Sequence, residues 1–245
     1  MPKLRLGINI DHVATLRNAR RRLFTASPQL WRAASCVIKG GADSLTIHLR
    51  EDRRHILDED VAVLCRQSTV PVNLEMAATP EMLGIALALR PHAVCLVPEK
   101  RRELTTEGGL DVVKGGAKLA RVVNDLGAQG IRVSLFINPD KDQIDAAYAS
   151  GARAIELHTG RYSELKASAQ KRELKSLERA ALYAHSLGLE VHAGHGLTYD
   201  NVELIAAIPE IIELNIGHFL MGEALFVGLT KAVKQMRGLM NKVRP

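Results

Sequence analysis

Short apolar segments rich in β-branched residues alternate with longer helical segments along the whole sequence. Strands of a parallel sheet are buried on both faces, so they read as short, nearly continuous apolar runs bounded by turn residues. Eight such runs can be counted. The predicted strands are Leu4–Ile10, Ser44–Leu49, Pro71–Met76, Ala93–Pro98, Arg132–Ile137, Ala154–His158, Leu189–His195 and Glu213–His218.

The segments between these runs carry the composition and end signals of helices. Pro80–Leu89 is rich in Ala and Leu, and Thr79 is an expected N-cap before a proline at the first helical position. Lys166–Leu187 has Glu and Lys residues at spacings that favour pairs four residues apart. Glycines such as Gly151 and Gly188 end helices and lead directly into the next strand, which is typical of βα units.

Strict alternation of strand and helix predicts an α/β fold with a parallel sheet. Eight strand–helix units in 245 residues fit a closed (β/α)8 TIM barrel better than an open doubly wound sheet. No Gly-x-Gly-x-x-Gly fingerprint of a dinucleotide-binding fold follows the first strand. There is no linker and no change in composition, so we expect a single domain over residues 1–245; two domains are the alternative that length alone leaves open.

Two connections are longer than a barrel needs, Thr15–Ser27 after the first strand and Glu99–Gly109 after the fourth. Both are polar, basic or Gly-rich, and both leave the C-terminal ends of strands, where barrels bind their ligands. We expect both connections to be binding loops or lids.

The chain is basic, with a net charge of +6, but 47% of its residues are apolar, which excludes a disordered protein. Aromatic residues make up only 4%, so a nucleic-acid module that stacks bases would have few platforms. We therefore expect no nucleic-acid partner. A non-catalytic binder of nucleic acid or acidic partners is the alternative that the charge leaves open.

Cys36, Cys65 and Cys95 lie in apolar segments without a Cys-x-x-Cys, which predicts buried thiols in a reducing compartment. The N-terminus lacks the features of a signal peptide, and no apolar run approaches the ~18 residues of a membrane span. We expect a cytoplasmic protein with no membrane partner.

Active sites of TIM barrels form at the C-terminal ends of the strands. Five of the nine histidines lie at predicted strand ends, where an even spread would place about one. Residues two apart on a strand share a face, so polar pairs at these ends are expected to face the barrel interior. These pairs are Asn9 and Asp11, Asn73 and Glu75, Glu156 and His158, and Asn215 and Gly217.

Glu75 and Glu156 are the carboxylates to which we give most weight. A desolvated glutamate near other charges acquires the raised pKa of a general base. The alternative is a buried ion pair with a neighbouring Arg or Lys.

Gly-bearing turns follow the seventh and eighth strands, at Ala193–Thr198 and Gly217–Gly222, where barrels commonly bind phosphate. With Arg50, Arg53 and a cluster at 17, 20, 21 and 22, they indicate phosphate binding, since Arg recognises oxyanions through paired N–H groups. Ordinary turn chemistry and a solvated arginine loop are the alternatives.

Neither a metal nor an enzyme imine is favoured at this site. The first strand ends Asn9-Ile10-Asp11-His12 rather than in His-x-His, and no His-Glu-x-x-His motif occurs. Lys100 at the end of the fourth strand could form a Schiff base, as in an aldolase, but an exposed loop lysine is the stronger interpretation.

Eight motifs closely resemble the pyridoxine 5′-phosphate synthase family, and together they span nearly the whole chain. His-Leu-Arg-Glu-Asp-Arg-Arg-His at positions 48–55 is too long for coincidence. The motifs are Asn9–Arg20, His48–His55, Asn73–Met76, Leu96–Arg101, Thr105–Asp111, Ile155–Gly160, Ala193–Thr198 and Glu213–His218.

The resemblance implies a (β/α)8 barrel with extra helices that assembles as a homo-octamer, a tetramer of dimers. It also implies a transferase-type synthase of vitamin B6 biosynthesis with two phosphorylated small-molecule substrates and no metal or organic cofactor. The implied reaction condenses 3-amino-2-oxopropyl phosphate with 1-deoxy-D-xylulose 5-phosphate to give pyridoxine 5′-phosphate, phosphate and water.

The resemblance further implies a role for each matched residue. His48 and Glu75 would accept protons, His195 would donate one, and Glu156 would stabilise the transition state. Thr105–Gly109 would belong to a loop that closes over the intermediates. The amino-ketone phosphate would be bound by Asn9, Arg20, Gly196, Gly217 and His218, and the deoxyxylulose phosphate by Asp11, His12, Arg50, His55 and Thr105.

One stretch departs from the family pattern. Family members commonly continue after Arg20 with Gly-Thr and later Pro-Asp-Pro, whereas this chain has a different sequence from Arg21 to Leu30. We therefore expect the first loop to differ from that of the family. The resemblance implies that Arg20 reaches across a subunit boundary, and this implied role depends on the same loop.

Overall fold

The chain forms a closed barrel of eight parallel strands, each paired with the next in sequence, and β8 pairs with β1 to close it. The computed structural model describes residues 3–19, 27–99 and 108–244. The predicted TIM barrel is thereby confirmed. Its strands are β1 (Arg5–Asn9), β2 (Ser44–His48), β3 (Val72–Met76), β4 (Ala93–Leu96), β5 (Arg132–Ile137), β6 (Ala154–His158), β7 (Glu190–Gly194) and β8 (Ile211–Ile216).

Every strand begins and ends within two residues of its predicted bounds. The apolar runs are continuous because both faces of a barrel strand are covered, and all five residues of β2 and of β6 are buried. The strand β8 begins at Ile211, earlier than expected, since Ile211 and Ile212 extend the apolar run before Glu213.

Helices surround the barrel, and one continuous apolar core fills the space between them and the strands. The helix α4 has the predicted bounds, and the side chain of Thr79 caps it by accepting the N–H of Met82. The helices within the described residues are α1 (Asp11–Asn18), α2 (Leu30–Gly40), α3 (Asp58–Gln67), α4 (Pro80–Leu89), α5 (Val112–Ala128), α6 (Lys141–Ala149), α7 (Gly160–Glu164), α8 (Ala167–Ser186), α9 (Val202–Ala206), α10 (His218–Val227) and α11 (Leu229–Val243).

Among the described residues, two helices follow each of β1, β6 and β8, so α1, α7 and α10 are additional to the one helix per strand of the basic repeat. They start at the C-terminal ends of their strands, next to the place where a site is expected. Across the described parts of the chain, no helix combines the length and apolar character needed to cross a bilayer.

Two sequence predictions are wrong in part. The connection after β1 was expected to be a loop from Thr15, but α1 continues to Asn18, because the segment from Asp11 has an acidic first turn and a basic last turn that suit a helix. All three cysteines are free, but only Cys95 is fully buried; Cys36 and Cys65 are half-buried because they lie on outer helices instead of a strand.

A network of charged side chains occupies the N-terminal ends of the strands. Arg5 on β1 contacts Glu190 on β7 and places its Nε 2.6 Å from Oε2 of Glu213 on β8. Arg132 and His192 lie 2.7 and 2.8 Å from the same oxygen of Glu190. The hydrogen bond with His192 and the charges of Arg132 and Arg5 lower the pKa of Glu190 to about 2, against the opposite effect of burial. At this end of the barrel the negative charges of Glu190 and Glu213 are therefore neutralised by arginine side chains.

We predict that Glu190→Gln lowers the free energy of unfolding by about 2 kcal/mol at neutral pH, because a depressed pKa means that folding stabilises the ionised form. That contribution is present above the ordinary pKa of 4.5 and is lost as the pH falls towards about 2. Urea denaturation should show the wild type and the variant converging over this range.

Glu203→Gln is the control, since it removes an exposed ion pair with Lys242 and should cost less than about 1 kcal/mol. Equal losses in the two variants, or a difference that persists at low pH, would contradict the assignment of this network.

Candidate active site

A cavity of about 350 Å³ opens at the C-terminal ends of the strands. This size is within the range of pockets that bind small molecules. Twelve of the residues predicted for the site line it: Asn9, Asp11, His12, His48, Arg50, His55, Glu75, Glu156, His195, Gly196, Gly217 and His218. The other two, Arg20 and Thr105, lie outside the described residues, as do Lys100, Arg21, Arg22 and most of the predicted fourth loop.

His48 and Glu75 meet on one side of the cavity. They are partners in the register of β2 and β3, and Nδ1 of His48 lies 3.8 Å from Oε2 of Glu75. The other oxygen of Glu75 accepts a hydrogen bond of 3.0 Å from the side-chain amide of Asn9. An imidazole and a carboxylate therefore face the same space from adjacent strands.

Asp11 reaches the same cluster from the first turn of α1 and not from a strand. Its Oδ1 accepts the backbone N–H of His48 at 2.8 Å. Burial and the nearby charge of Glu75 raise the pKa of Asp11 to about 7, although His48 and hydrogen bonds oppose the shift. The helix start thus fixes the end of β2 and adds a carboxyl group that titrates near neutral pH.

Glu156 lies on β6 and is only 3% exposed. The amide of Asn215 donates a hydrogen bond of 2.7 Å to its Oε2, and the hydroxyl of Thr46 donates one of 3.0 Å to Oδ1 of Asn215. Burial, followed by the charge of Glu75, raises the pKa of Glu156 well above its usual range. Among the described residues, neither Glu75 nor Glu156 forms an ion pair with Arg or Lys, so the alternative of a buried ion pair is not observed.

The side chains of Glu156 and Asn215 occupy space that is available only because two neighbouring residues are glycines. A Cβ on Gly194 would lie 2.4 Å from Oε1 of Glu156 and 2.8 Å from the carbonyl oxygen of Asn215. A Cβ on Gly7 would lie 2.1 Å from Oδ1 of Asn215. Both distances are too short for any side chain, so the link from Thr46 through Asn215 to Glu156 requires glycine at both positions.

His195 follows β7 in a conformation that non-glycine residues rarely adopt, with φ of 81°. The hydroxyl of Thr159 lies 2.7 Å from the carbonyl oxygen of Gly194 and 2.6 Å from that of His195, which anchors this turn. The ring of His158 packs 5.1 Å from the ring of His195. Burial lowers the pKa of His195, so a proton on its ring is given up readily. Backbone strain of this kind is common at functional sites.

The rim of the cavity at the ends of β1 and β8 has the features of an anion site. His12 and His218 pack edge to face with ring centroids 4.8 Å apart. His218 is the first residue of α10, and Gly217 precedes it, so backbone N–H groups at a helix N-terminus border the cavity. Burial and the neighbouring His218 lower the pKa of His12. A bound anion would reverse this effect by stabilising the charged imidazoles.

The arginines divide into two groups. Arg50 lines the cavity with only 3% of its surface exposed. Arg53 instead pairs with Asp58 at 2.9 Å and Glu81 at 2.6 Å, and Arg17 pairs with Asp60 at 2.6 Å. Carboxylates outside the cavity hold Arg53 and Arg17, and neither arginine lines the cavity, so a phosphate role for them stays a prediction.

Four residues at or beside the cavity were not assigned to the site from the sequence. Val97 and Phe136 line it, but apolar residues at a strand end resemble core residues and carry no signal. Asn215 was noted as an inward-facing residue without a role. Glu99 bonds to His48, whereas the sequence indicated it only as the first residue of the long fourth connection.

Among the described residues, no group of three or more His, Cys, Asp or Glu is arranged to hold a metal ion. Chemistry without a metal or organic cofactor stays a prediction.

A family model described as pyridoxal phosphate biosynthesis protein PdxJ matches residues 6–242. The chain belongs to the PdxJ family. This PdxJ chain is 59% identical over 239 residues to pyridoxine 5′-phosphate synthase of Rhodospirillum rubrum, covering 97% of this chain and 95% of that protein. It is 56% identical over 248 residues to the protein of the same name from Caulobacter vibrioides, covering 98% and 96%.

Solved structures with little sequence similarity share the architecture of this PdxJ chain. Thiamine phosphate pyrophosphorylase from Pyrococcus furiosus superimposes with a TM-score of 0.64 at 15% identity, covering 99% of this chain and 98% of that protein. At this identity the likeness shows the fold alone.

We predict that Gly194→Ala lowers the free energy of unfolding by about 2 kcal/mol or more, because the added methyl group must displace Glu156 or the backbone of β8. Gly222→Ala is the matched control, since nothing lies within 4 Å of its added Cβ and Ala favours a helix interior. Thermal and urea unfolding of both variants measure the difference. Similar stabilities would contradict the close approach at Gly194.

Proposed function

We propose that this protein is a pyridoxine 5′-phosphate synthase, the activity named for its relatives. It condenses 3-amino-2-oxopropyl phosphate with 1-deoxy-D-xylulose 5-phosphate and releases pyridoxine 5′-phosphate, one phosphate and two waters. The observation that carries the proposal is the group of four acid–base side chains, His48, Glu75, Glu156 and His195, which converge on one cavity from four strands or strand ends.

The reaction needs several proton transfers and little else. The amine nitrogen of one substrate adds to a ketone carbon of the other, and loss of water gives an imine between the substrates. A new carbon–carbon bond closes the ring, the phosphate of one substrate leaves, and a second water is lost. Each step moves protons between carbon, nitrogen and oxygen, which His and Glu side chains at hydrogen-bond distance can do.

His48 and Glu75 act as proton acceptors in this proposal. Their adjacent positions on β2 and β3 allow two protons to be removed at neighbouring atoms of the intermediate. His195 acts as the proton donor, since burial makes its imidazolium a stronger acid. The negative charge of a phosphate bound nearby would raise the pKa of His195 and favour its protonated form.

Glu156 stabilises charge in the transition state. Its raised pKa favours the neutral carboxylic acid, which can donate a hydrogen bond to an oxygen that becomes negative during the reaction. Asn215 holds the other side of the carboxyl group, so the donor is oriented before the substrate binds.

The two phosphorylated substrates are bound by different residues in this proposal. Asn9, Gly196, Gly217 and His218 hold the amino-ketone phosphate, together with Arg20. Arg50 supplies a buried positive charge for the deoxyxylulose phosphate, where it acts with Asp11, His12, His55 and Thr105.

We also propose a cytoplasmic homo-octamer built as a tetramer of dimers, with each chain a single domain. Leu225 and Phe226 near the end of α10 support association, because these large apolar side chains are 74% and 84% exposed.

Incubating the purified protein with both substrates and a metal chelator should release phosphate and build a pyridine chromophore. We predict that Glu75→Gln and His195→Asn each lower the turnover number by at least about 10²-fold while the protein stays folded, which is the scale of a lost general base or acid. Phosphate release and ultraviolet absorbance measure the rate, and circular dichroism checks the fold.

Glu59→Gln and His185→Asn make the same chemical changes at exposed helix positions and should keep the wild-type rate. Near-normal turnover in either site variant would reject that residue's role. No pyridine product from the wild-type protein would reject the proposed function.

A further inference from the structure

Glu99 lies three residues beyond β4, and its side chain is only 4% exposed. Its Oε1 is 3.0 Å from Nε2 of His48. Its Oε2 accepts the backbone N–H of Glu51 at 3.1 Å. Both carboxylate oxygens are therefore engaged, and the side chain is held between the end of β4 and the loop after β2.

This contact fixes the protonation of the His48 ring. A carboxylate only accepts hydrogen bonds, so the ring nitrogen facing Glu99 must carry the proton. The neutral ring then has its lone pair on Nδ1, the nitrogen that faces Glu75 across 3.8 Å. That nitrogen is the one placed to take a proton from a molecule in the cavity.

The charges around His48 also favour a strong base. Asp11 faces the ring from α1, Glu75 from β3 and Glu99 from the end of β4, while the ring of His55 lies 6.0 Å away between centroids. Burial lowers the pKa of His48, but the hydrogen bond with Glu99 and the three carboxylates outweigh it, so the net pKa is raised.

Glu99 itself supplies a full negative charge. Burial raises its pKa, but the hydrogen bond and charge of His48, the N–H of Glu51 and the charge of Arg50 lower it further than burial raises it. The arrangement is that of a carboxylate behind an imidazole base, which orients the ring and strengthens it.

We propose that Glu99 is a positioning residue for His48: it holds the imidazole through Nε2 and leaves Nδ1 as the proton acceptor in the cavity. The inference rests on the proposed synthase function. Glu99 acts through His48 and does not touch substrate.

The first test needs no substrate and no Glu99 variant. Selective ¹⁵N labelling of histidine, with His48→Gln to assign the resonance, should show the Nε2–H tautomer of wild-type His48 at a pH above its pKa, where the ring is neutral. The Nδ1–H tautomer would overturn the proposal whatever the protein catalyses.

The second test removes the charge while keeping the shape. Glu99→Gln should lower the pKa of His48 by about one unit, because an opposite charge at this distance raises an imidazole pKa by one unit or more. The acid limb of kcat/KM should move to lower pH by the same amount, and kcat should fall about 10-fold with little change in KM. Glu99→Asp keeps a carboxylate and should recover part of the shift.

Glu59→Gln is the charge-matched control on the exposed face of α3 and should leave both the His48 titration and the rate profile unchanged. In a His48→Gln background, Glu99→Gln should have no further effect on kcat, since its partner is gone. Additive losses, or an unchanged His48 titration in Glu99→Gln, would overturn the proposal. A normal titration with no product from the wild type would instead overturn the proposed function.

Discussion

Several ionisable side chains must be kept out of water inside this barrel without a cation for each carboxylate. Burying a carboxylate normally requires an opposite charge or a shifted pKa. At the mouth of the barrel the chain supplies amides, hydroxyls and imidazoles around Glu75 and Glu156 and no Arg or Lys partner among the described residues. Burial and the charge of Glu75 therefore hold the pKa of Glu156 well above its usual range, which suits acid–base chemistry.

The two ends of the barrel treat charge in opposite ways. At the N-terminal end, Arg5 and Arg132 neutralise Glu190 and Glu213, and the pKa of Glu190 falls. At the C-terminal end, the pKa of Glu156 rises. Charges are matched in the first region and unmatched in the second, and the two regions are close enough that the charge of Glu213 contributes to the raised pKa of Glu156.

The fold and most of the cavity lining could be predicted because both depend on patterns that the sequence displays directly. Continuous apolar runs define the strands, and the polar residues that end them can only meet at the barrel mouth. The ion-pair partners of the arginines could not be predicted from the sequence. Arg50 lines the cavity, whereas Asp58 and Glu81 hold Arg53 outside it. The contact of Glu99 with His48 also depends on how separate elements pack, which no local pattern records.

The glycines at positions 7 and 194 have a consequence for redesign of this barrel. Gly7 on β1 and Gly194 on β7 have no side chains at this level of the barrel. The hydrogen bond from Thr46 to Asn215 therefore passes over β1, and the bond from Asn215 to Glu156 passes over β7. Side chains on strands that are not neighbours in the sheet thus depend on one another. A redesigned barrel that kept all four acid–base residues but replaced either glycine would place a side chain where Asn215 or Glu156 now lies. The reactive groups would then be present but could not keep their present positions.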